Sequence, residues 1–304
     1  MFVIEVNKLT KKFNEITAIN NINLEIEKGE IIGIIGPDAA GKTTLLRLIT
    51  GLFHPTSGTI LVDGIDVFRN PKSIKQKIGY MPQHFSLYGD LSVSENLKFF
   101  ARLYGVNKKV FQLRKKELIE FSGLGPFENW LARNLSGGMQ KKLALACNLF
   151  HSPEILLLDE PTTGVDPVSR KELWSLLSKL NNQGTTIVLT TPYMDEAQKC
   201  HQVGLMFEGK ILDFNSPESI IREIKDEVIE LRTECPLREK LLSQLPYLKN
   251  MYHFGETLHL VFMPGKGAEY ITKEFLEKQG IIPISIKRIS PSFEDAFFSL
   301  IKGQ

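Results

Sequence analysis

The sequence has little cysteine. Its three, Cys147, Cys200 and Cys235, are far apart and odd in number. They make no disulfide framework, and the expectation is small thiols in a reducing, cytoplasmic compartment. Charge of one sign is also missing: 37 Lys and Arg stand against 35 Asp and Glu, a net +2. That balance gives no general attraction to nucleic acid or to anionic lipid. No apolar run approaches the roughly 20 residues of a membrane helix. The opening Met1-Phe2-Val3-Ile4-Glu5-Val6 alternates as a strand does and has neither block of a signal peptide. A membrane role is therefore expected only through a partner. There is no heptad run for coiled-coil arms, and no Asn-Lys-x-Asp sequence to read guanine. What is there is 42% hydrophobic and 24% charged residues over 304 positions, enough for one large globular domain and a small one.

Residues Gly36-Pro37-Asp38-Ala39-Ala40-Gly41-Lys42-Thr43-Thr44 fit the phosphate-loop pattern G-x-x-x-x-G-K-[ST]. The apolar run Ile31–Ile35 enters it as a buried strand, and Leu45-Leu46-Arg47-Leu48-Ile49 leaves it as a helix. Backbone N–H groups of such a loop converge on one anion. Lys42 adds a point charge for the outer phosphates, and Thr43 offers a hydroxyl to Mg²⁺. Further on, four apolar residues, Ile155 to Leu158, end in Asp159 and Glu160. A strand ending in carboxylates beside a phosphate loop lets Asp159 hold Mg²⁺ through water. Glu160, one residue on, could orient or activate the water that attacks a γ-phosphate.

The pattern along the chain predicts an α/β core. Strands are expected at Phe2–Val6 and Ile22–Ile26, a helical stretch from Ser92 to Phe150, and alternating strands and helices after Pro153. A second unit begins near Arg222 in the order βαββαβ plus a last helix, which suggests a ferredoxin-like α+β module. The expected division is 1–220 and 221–304, with a helical subdomain at about 84–150.

Leu135-Ser136-Gly137-Gly138-Met139 opens a predicted helix, an anion-binding arrangement. With it, residues 1–215 resemble the ATP-binding subunit of an ABC transporter. The resemblance implies a P-loop NTPase core with an antiparallel β region and a helical subdomain, and ATP and Mg²⁺ as ligands. It implies nucleotide contacts from Phe13, Gly36, Pro37, Asp38, Ala39, Ala40, Gly41, Lys42, Thr43 and Thr44. Phe13 would stack on adenine; a core ring is the other reading. Thr43, Gln83 and Asp159 would serve the metal, and Glu160 and Gln83 the chemistry. Gln83 matches the glutamine that senses Mg²⁺ and the attacking water and couples to the membrane subunit. Ser136, Gly137 and Gly138 would complete the site of a second ATPase subunit, and Asp166 would lie at that dimer interface.

Three departures stand out. Asp38-Ala39-Ala40 replaces the commoner Asn-Gly-Ala, and Met139 replaces Gln, both with small expected effects. In Thr190-Thr191-Pro192-Tyr193-Met194-Asp195-Glu196-Ala197, Pro192 stands where the family has a switch His. Pro has neither a polar side chain nor an N–H, and His201 lies nine positions on, beyond a helical segment. The expectation is a slow or degenerate hydrolysis site, rather than one in which Glu160 suffices. Tyr193 to Ala197 and Pro291-Ser292-Phe293-Glu294-Asp295-Ala296-Phe297 resemble the drug-exporter-like ABC-2 group. This implies a bacterial ATPase, peripheral on the cytoplasmic face of the membrane, docked on a separate permease and paired with a like or unlike ATPase. His84, Phe85, Leu87 and Tyr88 form the expected docking patch. Two alternatives stay open: a catalytically weak ATP-binding partner of an unlike subunit, and a soluble non-transport ABC ATPase.

Overall fold

The computed structural model describes residues 1–84, 87–234, 237–255 and 257–302, and only the backbone of Phe254 and Lys302. Phe85 of the expected docking patch and Cys235 lie outside the described residues. Two compact units divide the chain, Met1–Phe214 and Asn215–Gln304.

The first unit is built on a six-stranded sheet. Its strands run in the order Lys210–Asn215, Gln202–Phe207, Ile31–Ile35, Thr186–Thr191, Ile155–Asp159 and Ile78–Met81. The last five pair in parallel. Every residue of Ile31–Ile35, Ile155–Asp159 and Thr186–Thr191 is buried. Strands covered on both faces require such continuous apolar runs. Register then sets the chemistry: Ile35 lies opposite Thr191, and Asp159 opposite Thr190. The phosphate loop and the carboxylates therefore leave the same edge of the sheet, where ligands of open parallel sheets bind.

A second sheet is four-stranded, in the order Ile16–Glu27, Phe2–Phe13, Ser57–Val62 and Ile65–Asp66, antiparallel throughout. Its first two strands are twelve residues each, longer than the expected Phe2–Val6 and Ile22–Ile26. Register shifts near Lys8, and positive φ at Lys8 (46°) and Asn21 (51°), break the period-two alternation by which strands are recognised.

The expected helical stretch is three helices, Val93–Leu103, Lys108–Ser122 and Gly137–Asn148. The first starts at a capping box: the Ser92 hydroxyl accepts from Glu95 N–H (3.2 Å), and Glu95 accepts from Ser92 N–H (2.8 Å).

In the second unit the strand order is Leu248–Phe254, Thr257–Phe262, Glu227–Arg232, Ser285–Ile289, with antiparallel neighbours. That order, with helices Glu239–Leu242 and Ala268–Lys278, is the ferredoxin-like arrangement. Ile229, Leu242, Leu260, Phe262 and Leu276 form a core of its own.

Candidate nucleotide site

Close approaches fix the glycines of the loop. A Cβ on Gly36 would lie 2.0 Å from the Met206 carbonyl oxygen. Gly41 has φ +108°, and a Cβ there would lie 2.6 Å from the Ala18 carbonyl oxygen. Ala39 takes a left-handed φ of 62°, which costs an L-residue about 1–2 kcal/mol. The departure from glycine in this loop thus falls on a position where glycine would be unstrained. The loop closes against the neighbouring turn through Gly209 N–H donating to the Ala40 carbonyl, 2.9 Å.

A cavity of ≈ 500 Å³ opens over this loop. It brings together Asp38, Ala39, Ala40, Gly41, Lys42, Thr43, Thr44, Gln83 and Glu160. Gly36 and Pro37 stand behind it, their carbonyls accepting from the Lys42 ammonium at 2.8 and 2.9 Å. Phe13 is not in the lining. It is 39% exposed and meets Phe53 edge-on at 5.5 Å, so it is neither a core ring nor a wall of this cavity. Ile16, Thr17, Ala18, Glu208 and Gly209 line the cavity and were not expected. The signal for them lay in two turns, Asn14-Glu15 and Glu208-Gly209, which present strand ends beside the loop.

Lys42 is 4% exposed, and its ammonium lies 3.6 Å from Glu160 Oε1. Glu160 Oε2 accepts from the Gln83 amide (2.8 Å) and the Thr163 hydroxyl (3.2 Å). The backbone of Glu160 is left-handed, φ 48°, and its N–H donates to the Thr190 hydroxyl at 3.0 Å. Strain of this kind collects at functional sites. Asp159 Oδ1 accepts from Thr43 (3.0 Å) and Thr190 (2.8 Å). Asp159 is wholly buried, and its Oδ2 has no hydrogen-bond partner among the described residues. A buried, orphaned carboxylate oxygen beside a threonine hydroxyl is a hard-oxygen donor set that fits Mg²⁺.

Lys141 was not singled out by its sequence. Its ammonium donates to the Gln83 carbonyl (2.8 Å) and to the Glu160 carbonyl (3.4 Å). Burial pulls it below the ordinary lysine range, against the opposing charges of Asp159 and Glu160.

Ser136, Gly137 and Gly138 lie outside the cavity. Ser136 caps the helix Gly137–Asn148, its hydroxyl accepting from Met139 N–H at 3.3 Å. Gly138 also has a packing reason: a Cβ would lie 2.3 Å from Ser169 Cβ. Asp166 caps Pro167–Asn182 through Val168 and Ser169 N–H.

Pro192 follows the strand Thr186–Thr191 directly. Tyr193 next to it lies under the Arg170 guanidinium at 4.6 Å. The segment is held by fully buried Glu196, which accepts from Thr162, Arg170 and Trp174. His201 Nδ1 accepts from Ile31 N–H (2.9 Å), at the end of the sheet away from the loop, so it cannot stand in for a switch histidine.

A family model described as ABC transporter matches residues 19–163. The Nod factor export ATP-binding protein I of Cupriavidus metallidurans is 34% identical over 260 residues, covering 84% of this chain and 85% of its own length. The chain belongs to the ABC transporter family. The probable multidrug ABC transporter ATP-binding protein YbhF of Escherichia coli is 38% identical over 306 residues, 99% of this chain but 52% of YbhF. The cassette thus spans about half the length of that relative. Among solved structures, the dimeric ATP-binding cassette MJ0796, bound to ADP and Pi in a post-hydrolysis state, aligns with TM-score 0.64 and 30% identity. That alignment covers 70% of this chain and 98% of MJ0796. The doubly covered parallel sheet, the antiparallel sheet beside it and the helical region of the first unit are those of such a cassette. Among the described residues no helix is long and apolar enough to cross a membrane.

Proposed function

We propose that this cassette is the ATP-hydrolysing motor of an ABC-2 type exporter, working with Mg²⁺ as a nucleotide-sandwich dimer on a separate permease at the cytoplasmic face of a bacterial membrane. One observation carries the reading: Lys42, Thr43, Gln83 and Glu160 line a single cavity, with buried Asp159 accepting from the Thr43 hydroxyl, at contacts of 2.8–3.6 Å. In this reading Lys42 leaves the Gly36 and Pro37 carbonyls and Glu160 for the nucleotide's phosphates. Thr43 and Asp159 would hold the Mg²⁺, which would supply charge neutralisation at the transferred phosphate. Glu160, steadied by Gln83, orients the attacking water. Phosphate release from Mg-ATP by the purified chain, compared with its Lys42→Ala variant, tests the assignment. A rate unaffected by that change would remove it.

Pro192 favours a second reading, in which this site is slow and the chain chiefly completes the site of an unlike ATPase subunit through Ser136, Gly137 and Gly138.

We put the permease on the surface that carries Tyr88. Tyr88 is 50% exposed and meets Phe99 at 4.6 Å; Leu103, one helical turn on, is 66% exposed and borders a groove that includes Leu52, 57% exposed. Contiguous exposed apolar side chains of this kind mark partner sites. Leu87, by contrast, is buried at 9% and belongs to the local core, a correction to the expected patch. Tyr88→Asp combined with Leu103→Asp should abolish co-purification with the permease from membranes while leaving Mg-ATP affinity within about threefold, since neither side chain lines the nucleotide cavity. Retained co-purification by the folded double variant would move the docking face elsewhere.

The unit Asn215–Gln304 is assigned a non-catalytic role that tunes dimerisation or activity. Because it encloses its own core, a fragment of residues 1–215 should bind Mg-ATP within about threefold of the full chain. Loss of binding by a well-folded fragment counts against that separation.

A further inference from the structure

We propose that Lys141 is a positioning residue for hydrolysis, tying the helix that begins at Ser136 to Gln83 and Glu160 of the chain's own site. This rests on the reading of Glu160 as the group that orients water. The geometry is specific. The ammonium donates to the main-chain carbonyls of both residues, Gln83 at 2.8 Å and Glu160 at 3.4 Å. Their side chains in turn meet each other at 2.8 Å. Lysine, backbone and side chains thus close a ring through the two groups that face the cavity. The ring matters because the Glu160 backbone is strained, with φ 48°. A strained carbonyl keeps its orientation only where its surroundings over-determine it. Thr190 fixes the N–H side of this residue, and Lys141 is the charged donor on its carbonyl side.

Lys141 belongs to the helix Gly137–Asn148, whose N-cap is Ser136. Lys141 lies five positions beyond it, a rise of about 7.5 Å at about 1.5 Å per residue. The helix is anchored near its start by Gln140, whose amide donates to the Ala132 carbonyl at 3.1 Å. A shift of the Ser136 end therefore moves the ammonium relative to Gln83 and Glu160. In a sandwich dimer that end answers to the partner's nucleotide, so Lys141 links the state of one site to the alignment of the other. Lys142, the next residue, takes no part: it pairs with Glu172 at 2.8 Å on the outside of the helix.

The test is single-turnover hydrolysis of Mg-ATP by the purified full chain, enzyme in excess, with nucleotide affinity measured in parallel. Lys141→Met keeps the stem and removes the donor. It should slow the turnover step tenfold or more, since small misplacements of a catalytic group cost up to about a hundredfold. Affinity for Mg-ATP should stay within about threefold. Lys141→Arg, which keeps charge and donors, should recover most of the rate. In a Glu160→Gln background, Lys141→Met should add less than about twofold, because both changes act on one group. The proposal is overturned if Lys141→Met slows turnover less than twofold, if its effect multiplies with that of Glu160→Gln, or if Lys141→Arg is as slow as Met. Should Lys141→Met melt the fold, Lys141→Leu, which also lacks a donor, carries the same criteria. If Glu160→Gln itself leaves single turnover unchanged, the failure lies in the reading of Glu160 and not in Lys141.

Discussion

Lys42→Ala should lower Mg-ATP affinity at least about a hundredfold. The side chain is 4% exposed and its ammonium sits between the Gly36 and Pro37 carbonyls and the Glu160 carboxylate. Hydrogen bonds from an ammonium to phosphate are roughly twice as strong as neutral ones. A buried cation also supplies the counter-charge that a polyphosphate otherwise finds in water. Removing it has a second cost. Glu160, 5% exposed, loses its ion-pair partner, and a buried charge left unpaired is strongly destabilising. The variant therefore confronts the incoming phosphates with an uncompensated carboxylate. Circular dichroism establishes that the variant is folded, and calorimetry with Mg-ATP supplies the affinity. Equal affinity of wild type and variant would falsify the phosphate-loop assignment.

How much of this site could be read from residues alone follows from the distance over which each contact acts. The loop from Gly36 to Thr44 and the pair Asp159-Glu160 were legible because strand, turn and helix signals surround them within a few residues. Their convergence follows from parallel pairing, which apolar runs such as Ile155–Leu158 announce. The second unit's strand order was legible for the same reason, its hairpin and helices being local. Long-range contacts were not. Nothing in Lys141's neighbours says that its ammonium ends on carbonyls 58 and 19 positions away. Nor does Ile16-Thr17-Ala18 declare itself a wall of the cavity, because bulges blur the alternation of its strand. The Phe13 ring is 39% exposed and meets Phe53, a neighbour distant in sequence, edge-on at 5.5 Å. Leu87 was drawn toward the outside by its place in an apolar cluster, whereas tertiary packing buries it.

Ser136→Arg should collapse the ATPase activity of the assembled transporter, while Glu160→Gln should reduce it only modestly. In the proposed dimer the two residues serve different sites. Glu160 lines the chain's own cavity with Lys42, and Pro192, at the switch position, offers neither a side-chain hydrogen bond nor an N–H. His201, committed to Ile31 N–H, supplies no substitute. Ser136 stands apart, at the start of Gly137–Asn148, with its hydroxyl toward the helix N-terminus and Gly137 exposed beside it. In a head-to-tail dimer that end meets the nucleotide held by the partner. If the partner has the histidine this chain lacks, the faster site is the one Ser136 completes. Loss of one preorganised group facing the transferred phosphate costs about a hundredfold or more in rate. An arginine at Ser136 adds bulk where the partner's nucleotide must close, and Gly138 has no room to yield, with Ser169 packed against it. On that reading Glu160→Gln acts on the slower site and leaves the faster one intact, so total turnover should fall by no more than about half. The measurement is steady-state phosphate release by the complete transporter carrying one variant at a time. Equal damage from the two variants, or rapid turnover by the purified chain as a homodimer, would mean that both sites hydrolyse alike and that Glu160 suffices without a switch histidine.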